Sequence, residues 1–154
     1  MSSRAFTITD KPLPGRPVKV RRLRGVIAAA LAAVAGWILI EVLGGVDLRA
    51  PAFDGSGAGQ DVGLVAAVLT SLVASLAAWL LLAVSERYLT SRARTVWTIL
   101  AMAGFVVSLG GPMSGTGIDA TDRALLGVLH VIVAAVLIPL LYLTAAAPDE
   151  KRTP

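Results

Sequence analysis

Four long apolar segments dominate this sequence and restrict what it can fold into. They cover residues 25–46, 62–84, 95–111 and 124–143, and Glu41 is the one formally charged side chain inside them. A helix needs about 20 mostly apolar residues to cross the hydrocarbon core of a bilayer. All four segments approach that length, and the third is the shortest. The sequence therefore predicts an all-α protein, a bundle of four transmembrane helices.

The composition favours a membrane protein over a soluble domain. Of the 154 residues, 56% are hydrophobic and 16% are charged, and the mean hydropathy is +0.77. A soluble domain of this length needs more polar surface than that. The net charge of +4 would suggest nucleic acid in a soluble protein. Here half of the basic residues, 7 of 14, precede the first apolar segment, where they set the topology and can contact anionic lipid, so we expect no nucleic-acid partner.

The positions of the basic residues predict how the chain crosses the membrane. Twelve of the 14 Lys and Arg residues lie in the N-terminal tail, the connection between the second and third segments, and the C-terminal tail. Connections rich in Lys and Arg stay on the cytoplasmic side. We therefore expect an antiparallel up-down bundle in the plasma membrane with both termini cytoplasmic. The first segment is expected to stay as an uncleaved signal-anchor, because its apolar run continues past the cleavage-like sequence AVA.

This pattern divides the chain into three parts. Residues 1–24 form a basic, proline-containing cytoplasmic tail, residues 25–143 the transmembrane domain, and residues 144–154 a second cytoplasmic tail. The basic cluster of the first tail is expected to contact anionic lipid headgroups. Its members are Arg16, Lys19, Arg21, Arg22 and Arg24.

The connection SERYLTSRARTVW is the most distinctive of the chain. Its candidate residues are Glu86, Arg87, Arg92, Arg94 and Trp97. Aromatic rings such as that of Trp97 favour the headgroup level of a bilayer. Two interpretations stay open, a hairpin that only sets the topology and a docking surface for a lipid headgroup or a protein partner.

Glu41 and His130 are the polar candidates within the membrane. Glu41 precedes the predicted outer end of the first span by five residues, and His130 follows the outer start of the fourth by six. At the helical rise these positions are about 7 and 9 Å deep, nearly the same level. We expect the two side chains to share a hydrogen bond or a proton. The alternatives are a protonated Glu41 or one that reaches the outer interface, and a pair with a structural or a proton-handling role.

Smaller features complete the sequence-based expectations. Pro139 is predicted to kink the fourth helix, because it removes a backbone donor. The longest connection, DLRAPAFDGSGAGQD, indicates a flexible, mildly acidic loop. With no cysteine and one histidine, the chain offers no metal site, and we expect no cofactor.

The segments GVDLR, ERYLTSRARTVWT, SLGGPMSG and LHVIVAAVLIPLL resemble an uncharacterised family of small actinobacterial membrane proteins. That family is a domain of unknown function with four predicted helices, and some members carry an automatic cell-envelope biogenesis label. The resemblance covers roughly residues 24–143. It implies the fold and the topology, and it brings no known activity.

Two classes of function follow from these expectations. The first is a non-enzymatic accessory or structural component of a membrane assembly, with a membrane protein or a second copy as its partner. The alternative is a small transporter or ligand-binding protein that uses Glu41 and His130. A membrane enzyme ranks behind both, because no group of acidic or histidine residues gathers at one interface.

Overall fold

Four long helices and a short hairpin make up the part of the chain that the computed structural model describes, residues 18–52 and 57–145. In chain order the elements are α1 (Val18–Trp37), its π-helical continuation (Ile38–Leu43), β1 (Arg49–Ala50), β2 (Gln60–Asp61), α2 (Leu64–Leu89), a 3-10 turn (Thr90–Arg92), α3 (Ala93–Ser114) and α4 (Ala120–Tyr142). All four helices are long and apolar enough to cross a membrane. The prediction of four helices that can each cross a membrane is confirmed.

The helices form a ring in which each packs on the next and α4 packs back on α1. Arg22, near the start of α1, contacts Glu86 near the end of α2 and Thr144 just after α4. We call this the basic end of the bundle. At the other end Trp37, which closes α1, donates a hydrogen bond to the carbonyl of Val62 just before α2. We call this the hairpin end, because β1 and β2 lie there.

Small residues let α1, α2 and α4 approach closely. Ser71 and Ser75 of α2 are buried, and the Ser71 hydroxyl donates to the carbonyl of Ala29 on α1 at 3.3 Å. A Cβ atom at Gly36 would lie only 2.7 Å from a methyl carbon of Leu129. Small residues therefore form packing faces on α1 and α2. Gly104 of α3 differs, since nothing lies within 4 Å of its Cβ position.

The helices extend beyond the predicted spans at most of their ends. α1 begins at Val18 and not at residue 25, so the basic residues from Lys19 to Arg24 are helical. Lys and Arg are good helix formers, and their charged ends can reach water from a helix that starts outside the hydrocarbon. α4 begins at Ala120 because Asp119 caps it, with its carboxylate accepting from the amide of Asp122 at 2.8 Å. Of the predicted tails 1–24 and 144–154, residues 1–17 and 146–154 lie outside the described residues.

The expectation of a flexible loop after α1 is wrong for the part that the structure describes. β1 and β2 pair antiparallel, with Arg49 opposite Asp61. Ala52 forms a β-bridge with Thr116 in the connection between α3 and α4. The amide of Gly59 donates to the carbonyl of Gly117, which has a φ of +82°. The glycines there serve close approach of two backbones, because a side chain at Gly117 would overlap the backbone of Gly59.

Candidate ligand cavity and the polar clusters at the two ends

A cavity of about 450 Å³ lies inside the bundle near the hairpin end. α2, α3 and α4 form its walls, α1 contributes Ala33, and the hairpin covers it. Most of the lining is apolar. The polar side chains in the lining are those of Gln60, Asp61, Thr70, Ser71, Ser108 and His130. We call this space the hairpin-end cavity.

The hairpin-end cavity opens between α2 and α3. Ala66, Thr70 and Ala74 line it from one face of α2, since residues four apart lie one above the other on a helix. All three are exposed, and so is Ser108 on the facing part of α3. In a bundle that crosses a membrane, an opening between two helices leads to lipid. A molecule dissolved in the bilayer could therefore enter without passing through water.

The four polar side chains that the helices contribute to the lining are each hydrogen-bonded to the backbone of their own or a neighbouring helix. His130 uses its Nδ1 nitrogen, 2.7 Å from the carbonyl of Leu126 one turn earlier in α4. The Thr70 hydroxyl donates to the carbonyl of Ala66 at 2.8 Å, and that of Ser108 to Phe105 at 2.7 Å. Side chains satisfied in this way keep fixed positions at the cavity wall.

The predicted bond between Glu41 and His130 does not form. One carboxylate oxygen of Glu41 accepts from the amide of Leu48 at 3.1 Å, which ties the π-helical turn to the residue before β1. Glu41 lines a separate polar cleft beside the hairpin, whereas His130 lines the cavity. The depth estimate failed because α1 ends at Trp37 and continues as a π-helix over Ile38–Leu43, which turns Glu41 away from the position it would have in an α-helix.

Charged side chains join the hairpin to the helices around it. The buried carboxylate of Asp122 accepts from the amide of Arg49 at 3.3 Å. Arg123 donates to the carbonyls of Pro112 and Gly115 at 2.6 and 2.8 Å, which otherwise lack donors at the end of α3. Arg49 and Asp61 form an exposed ion pair at 3.1 Å. Sequence reasoning missed these roles, although an Asp shortly after a loop is an ordinary helix-start signal.

At the basic end, two arginines link all four helices. Arg22 forms an ion pair with Glu86 at 2.6 Å and donates to both the hydroxyl and the carbonyl of Thr144. Arg94 of α3 donates to the carbonyl of Ala145 at 2.8 Å, and its guanidinium carbon lies 4.8 Å from the ring centre of Tyr142. We call these residues the basic-end cluster.

Two predictions for this end are wrong. Arg22, expected in the lipid-facing cluster, is 6% exposed, because its position on α1 turns toward α2 and α4. Trp97, expected at the headgroup level, is fully buried, and its indole N–H donates to the carbonyl of Ala78 at 3.0 Å. A helix of period 3.6 has an inner face even at its ends, and composition alone does not reveal which residues lie on it.

The other predicted residues of this end divide by exposure. Those with exposed side chains are Lys19, Arg21, Arg24, Arg87 and Arg92. Arg16 lies outside the described residues. Pro139 lies within α4, which continues to Tyr142, and the kink stays a prediction. Among residues 18–52 and 57–145, no three His, Cys, Asp or Glu side chains are grouped so as to hold a metal ion.

The fold and these sites define a multi-pass helical membrane protein with a cavity inside its bundle. The chain belongs to a family of unknown function (DUF6069), whose model matches residues 14–147. The predicted membership of a domain family of unknown function is thereby confirmed. Comparison with the curated proteins and with the solved structures found no match.

Proposed function

We propose that this protein is a non-enzymatic, ligand-binding protein of the plasma membrane, and that its ligand is a small, mostly apolar molecule taken up from the bilayer. The observation that carries the proposal is the hairpin-end cavity, with its volume of about 450 Å³, apolar walls and few polar side chains. Ligand pockets typically have volumes of about 300–1,000 Å³ and this kind of lining. The opening between α2 and α3 supports entry from lipid.

The orientation that we propose puts the basic end in the cytoplasm, with both termini. Five exposed basic side chains at that end support it, because such residues are retained on the cytoplasmic side and attract anionic headgroups. A cysteine in place of Ala58, near the hairpin, should react with an impermeant maleimide added to intact cells. A cysteine in place of Ser91, between α2 and α3, should not react until the cells are opened. The reverse pattern would contradict the orientation.

Filling the cavity tests the ligand-binding proposal. Ala74→Phe places a ring in the cavity, whereas Val73→Phe adds the same ring at the neighbouring position of α2, where the side chain is 68% exposed. Both variants and the parent protein would be purified from the membrane in mild detergent and extracted for mass spectrometry of small molecules. We expect one amphiphile to accompany the parent and Val73→Phe, and to be lost from Ala74→Phe. An identical set of molecules from all three proteins would contradict the proposal.

A second candidate function is that of an accessory component of a membrane assembly. It is favoured by α3, the least buried of the four helices: 11% of an apolar 18-residue stretch of α3 is buried, against 17–22% of the corresponding stretches in the other helices. Gly104 of α3, which does not line the cavity, has open space at its Cβ position, which would let another helix approach closely. Purification in mild detergent should then recover a membrane-protein partner or a second copy that Gly104→Leu releases. Unchanged recovery with Gly104→Leu would contradict this role.

A further inference from the structure

We infer that the hairpin-end cavity selects an uncharged amphiphile that carries a hydrogen-bond donor, such as a hydroxyl group, over molecules that can only accept. This inference rests on the proposed ligand-binding function and narrows its ligand class. It follows from the polar side chains that the helices contribute to the lining, because each of them donates its hydrogen atom to a backbone carbonyl of the protein. Toward a ligand, these side chains can therefore only accept a hydrogen bond, through their lone pairs.

His130 provides the first step. Its Nδ1 nitrogen lies 2.7 Å from the carbonyl oxygen of Leu126. A carbonyl oxygen only accepts, so Nδ1 carries the hydrogen and donates it. In the neutral ring the other nitrogen, Nε2, is then an acceptor, and it bonds to no described residue. The backbone of α4 thus fixes the tautomer that presents a lone pair.

The hydroxyl groups give the same result independently. Thr70 donates to Ala66, Ser71 to Ala29 and Ser108 to Phe105, in each case to a backbone carbonyl. A hydroxyl has one hydrogen and two lone pairs, so each group keeps acceptor capacity after this bond. These three side chains come from α2 and α3, on the two sides of the opening to lipid.

Pro112 adds one more acceptor to the lining. It lies within α3, is buried and lines the cavity. Since proline has no backbone N–H, the carbonyl four residues earlier, that of Ser108, lacks its usual helical donor. Ser108 therefore supplies a hydroxyl oxygen and a backbone oxygen on the same stretch of helix.

The charge of the guest follows from the charges in the lining. The acceptors on α2 and α3 are uncharged hydroxyl and carbonyl oxygens, and the acceptor on α4 is the Nε2 nitrogen of a neutral imidazole ring. Asp61 is the one carboxylate among the described lining residues, and it already pairs with Arg49 at the hairpin. A cation inside hydrocarbon requires a countercharge, so an uncharged donor suits the cavity. Gln60, whose amide can donate, belongs to β2 at the covered end.

A matched pair of alkylbenzenes tests the inference. 4-Octylphenol carries a hydroxyl donor, and 4-octylanisole has the same chain and ring with a methyl ether that only accepts. The purified protein in mild detergent would be titrated with each compound at equal mole fraction, and the midpoint of thermal unfolding followed, because a ligand of the folded state raises it. We expect the phenol to saturate at about three- to ten-fold lower concentration, the effect of one hydrogen bond.

Variants of the protein test whether His130 causes the preference for the phenol over the anisole. His130→Phe keeps a ring and removes the acceptor, so the preference for the phenol should fall, whereas His130→Gln, with an amide oxygen, should retain part of it. Val73→Phe should behave as the parent protein, and Ala74→Phe should bind neither compound. Equal saturable shifts with both compounds, removed by Ala74→Phe, would leave the binding function standing and overturn the donor preference. No saturable shift with either compound would overturn both.

Discussion

The basic end and the hairpin end both join the helices of the bundle, but they do so with different chemical groups. At the basic end, long cationic side chains reach across to other helices, as Arg22 reaches Glu86 and Thr144. At the hairpin end, most of the hydrogen bonds between segments involve backbone groups, such as the amide of Gly59 donating to the carbonyl of Gly117 and the amide of Ala52 donating to that of Thr116. The first arrangement lies beside a buried apolar core that contains Leu82, Trp97 and Leu141, and the second lies over the hairpin-end cavity. This difference supports the proposal that the hairpin-end cavity binds a ligand, while the basic end holds the helices together.

The largest expected effect comes from removing the central side chain of the basic-end cluster. Arg22→Met should lower the free energy of unfolding by about 3 kcal/mol, because Glu86, 22% exposed, loses the buried guanidinium. The measurement is thermal or denaturant unfolding in mild detergent. Arg21→Met is the matched control, since the Arg21 bond to the Leu143 carbonyl is exposed, and it should change stability by less than about 0.5 kcal/mol. Equal losses in the two variants would remove the distinction that we draw for this end.

The second-largest expected effect tests whether a substitution at the hairpin end leaves the basic end unchanged. Gly117→Ala should cost about 2 kcal/mol, since its φ of +82° disfavours a side chain and the added carbon meets the backbone of Gly59. Hydrogen exchange should accelerate in 48–52, 57–62 and 115–119, and stay unchanged around Arg22. Gly63→Ala, with open space at its Cβ position, is the control. Faster exchange at both ends would mean that the bundle responds as one unit.

A smaller effect concerns the buried indole of the basic end. Trp97→Phe should lower stability by about 1 kcal/mol, because the carbonyl of Ala78 loses its donor. The same substitution at Trp79, which is half-buried and makes no side-chain hydrogen bond to a described residue, is the control and should cost less. Unfolding in mild detergent measures both. If the two variants lose the same stability, the hydrogen bond of Trp97 contributes nothing measurable.

The smallest effect is the coupling between Glu41 and His130. Because they bond to different partners and line different spaces, Glu41→Gln and His130→Ala should be additive, with a coupling energy under about 0.5 kcal/mol. A double-mutant cycle on unfolding in mild detergent measures it. A larger coupling energy would mean that Glu41 in the polar cleft and His130 in the hairpin-end cavity interact, which would contradict our description of them as separate sites.

The sequence predicted the helices better than it predicted their faces. Apolar segments of membrane-spanning length identify four helices without any contact being known, because the bilayer requires that length. The direction of Arg22 or Trp97 depends on how each helix is rotated in the bundle, and small residues are too frequent in this chain to define one face. The hairpin was missed because its glycines indicate flexibility when read alone. Their need for close approach appears only when Gly59 and Gly117, far apart in sequence, lie side by side.

The cavity could not be predicted for a related reason. Thr70, Ser71 and His130 are ordinary residues of an apolar helix, and nothing in their spacing distinguishes a packed position from an open one. The space arises from the hairpin over the bundle and the gap between α2 and α3. Both are properties of the assembled fold.

The contacts of Arg22 also concern the order in which the chain is made. Its partner Thr144 follows it by 122 positions, so the hydrogen bonds of Arg22 are complete only after α4 has been synthesised. A chain interrupted after α3 would hold that arginine without the Thr144 hydroxyl and carbonyl. A bundle without α4 would therefore differ from the complete bundle in the environment of this one buried guanidinium.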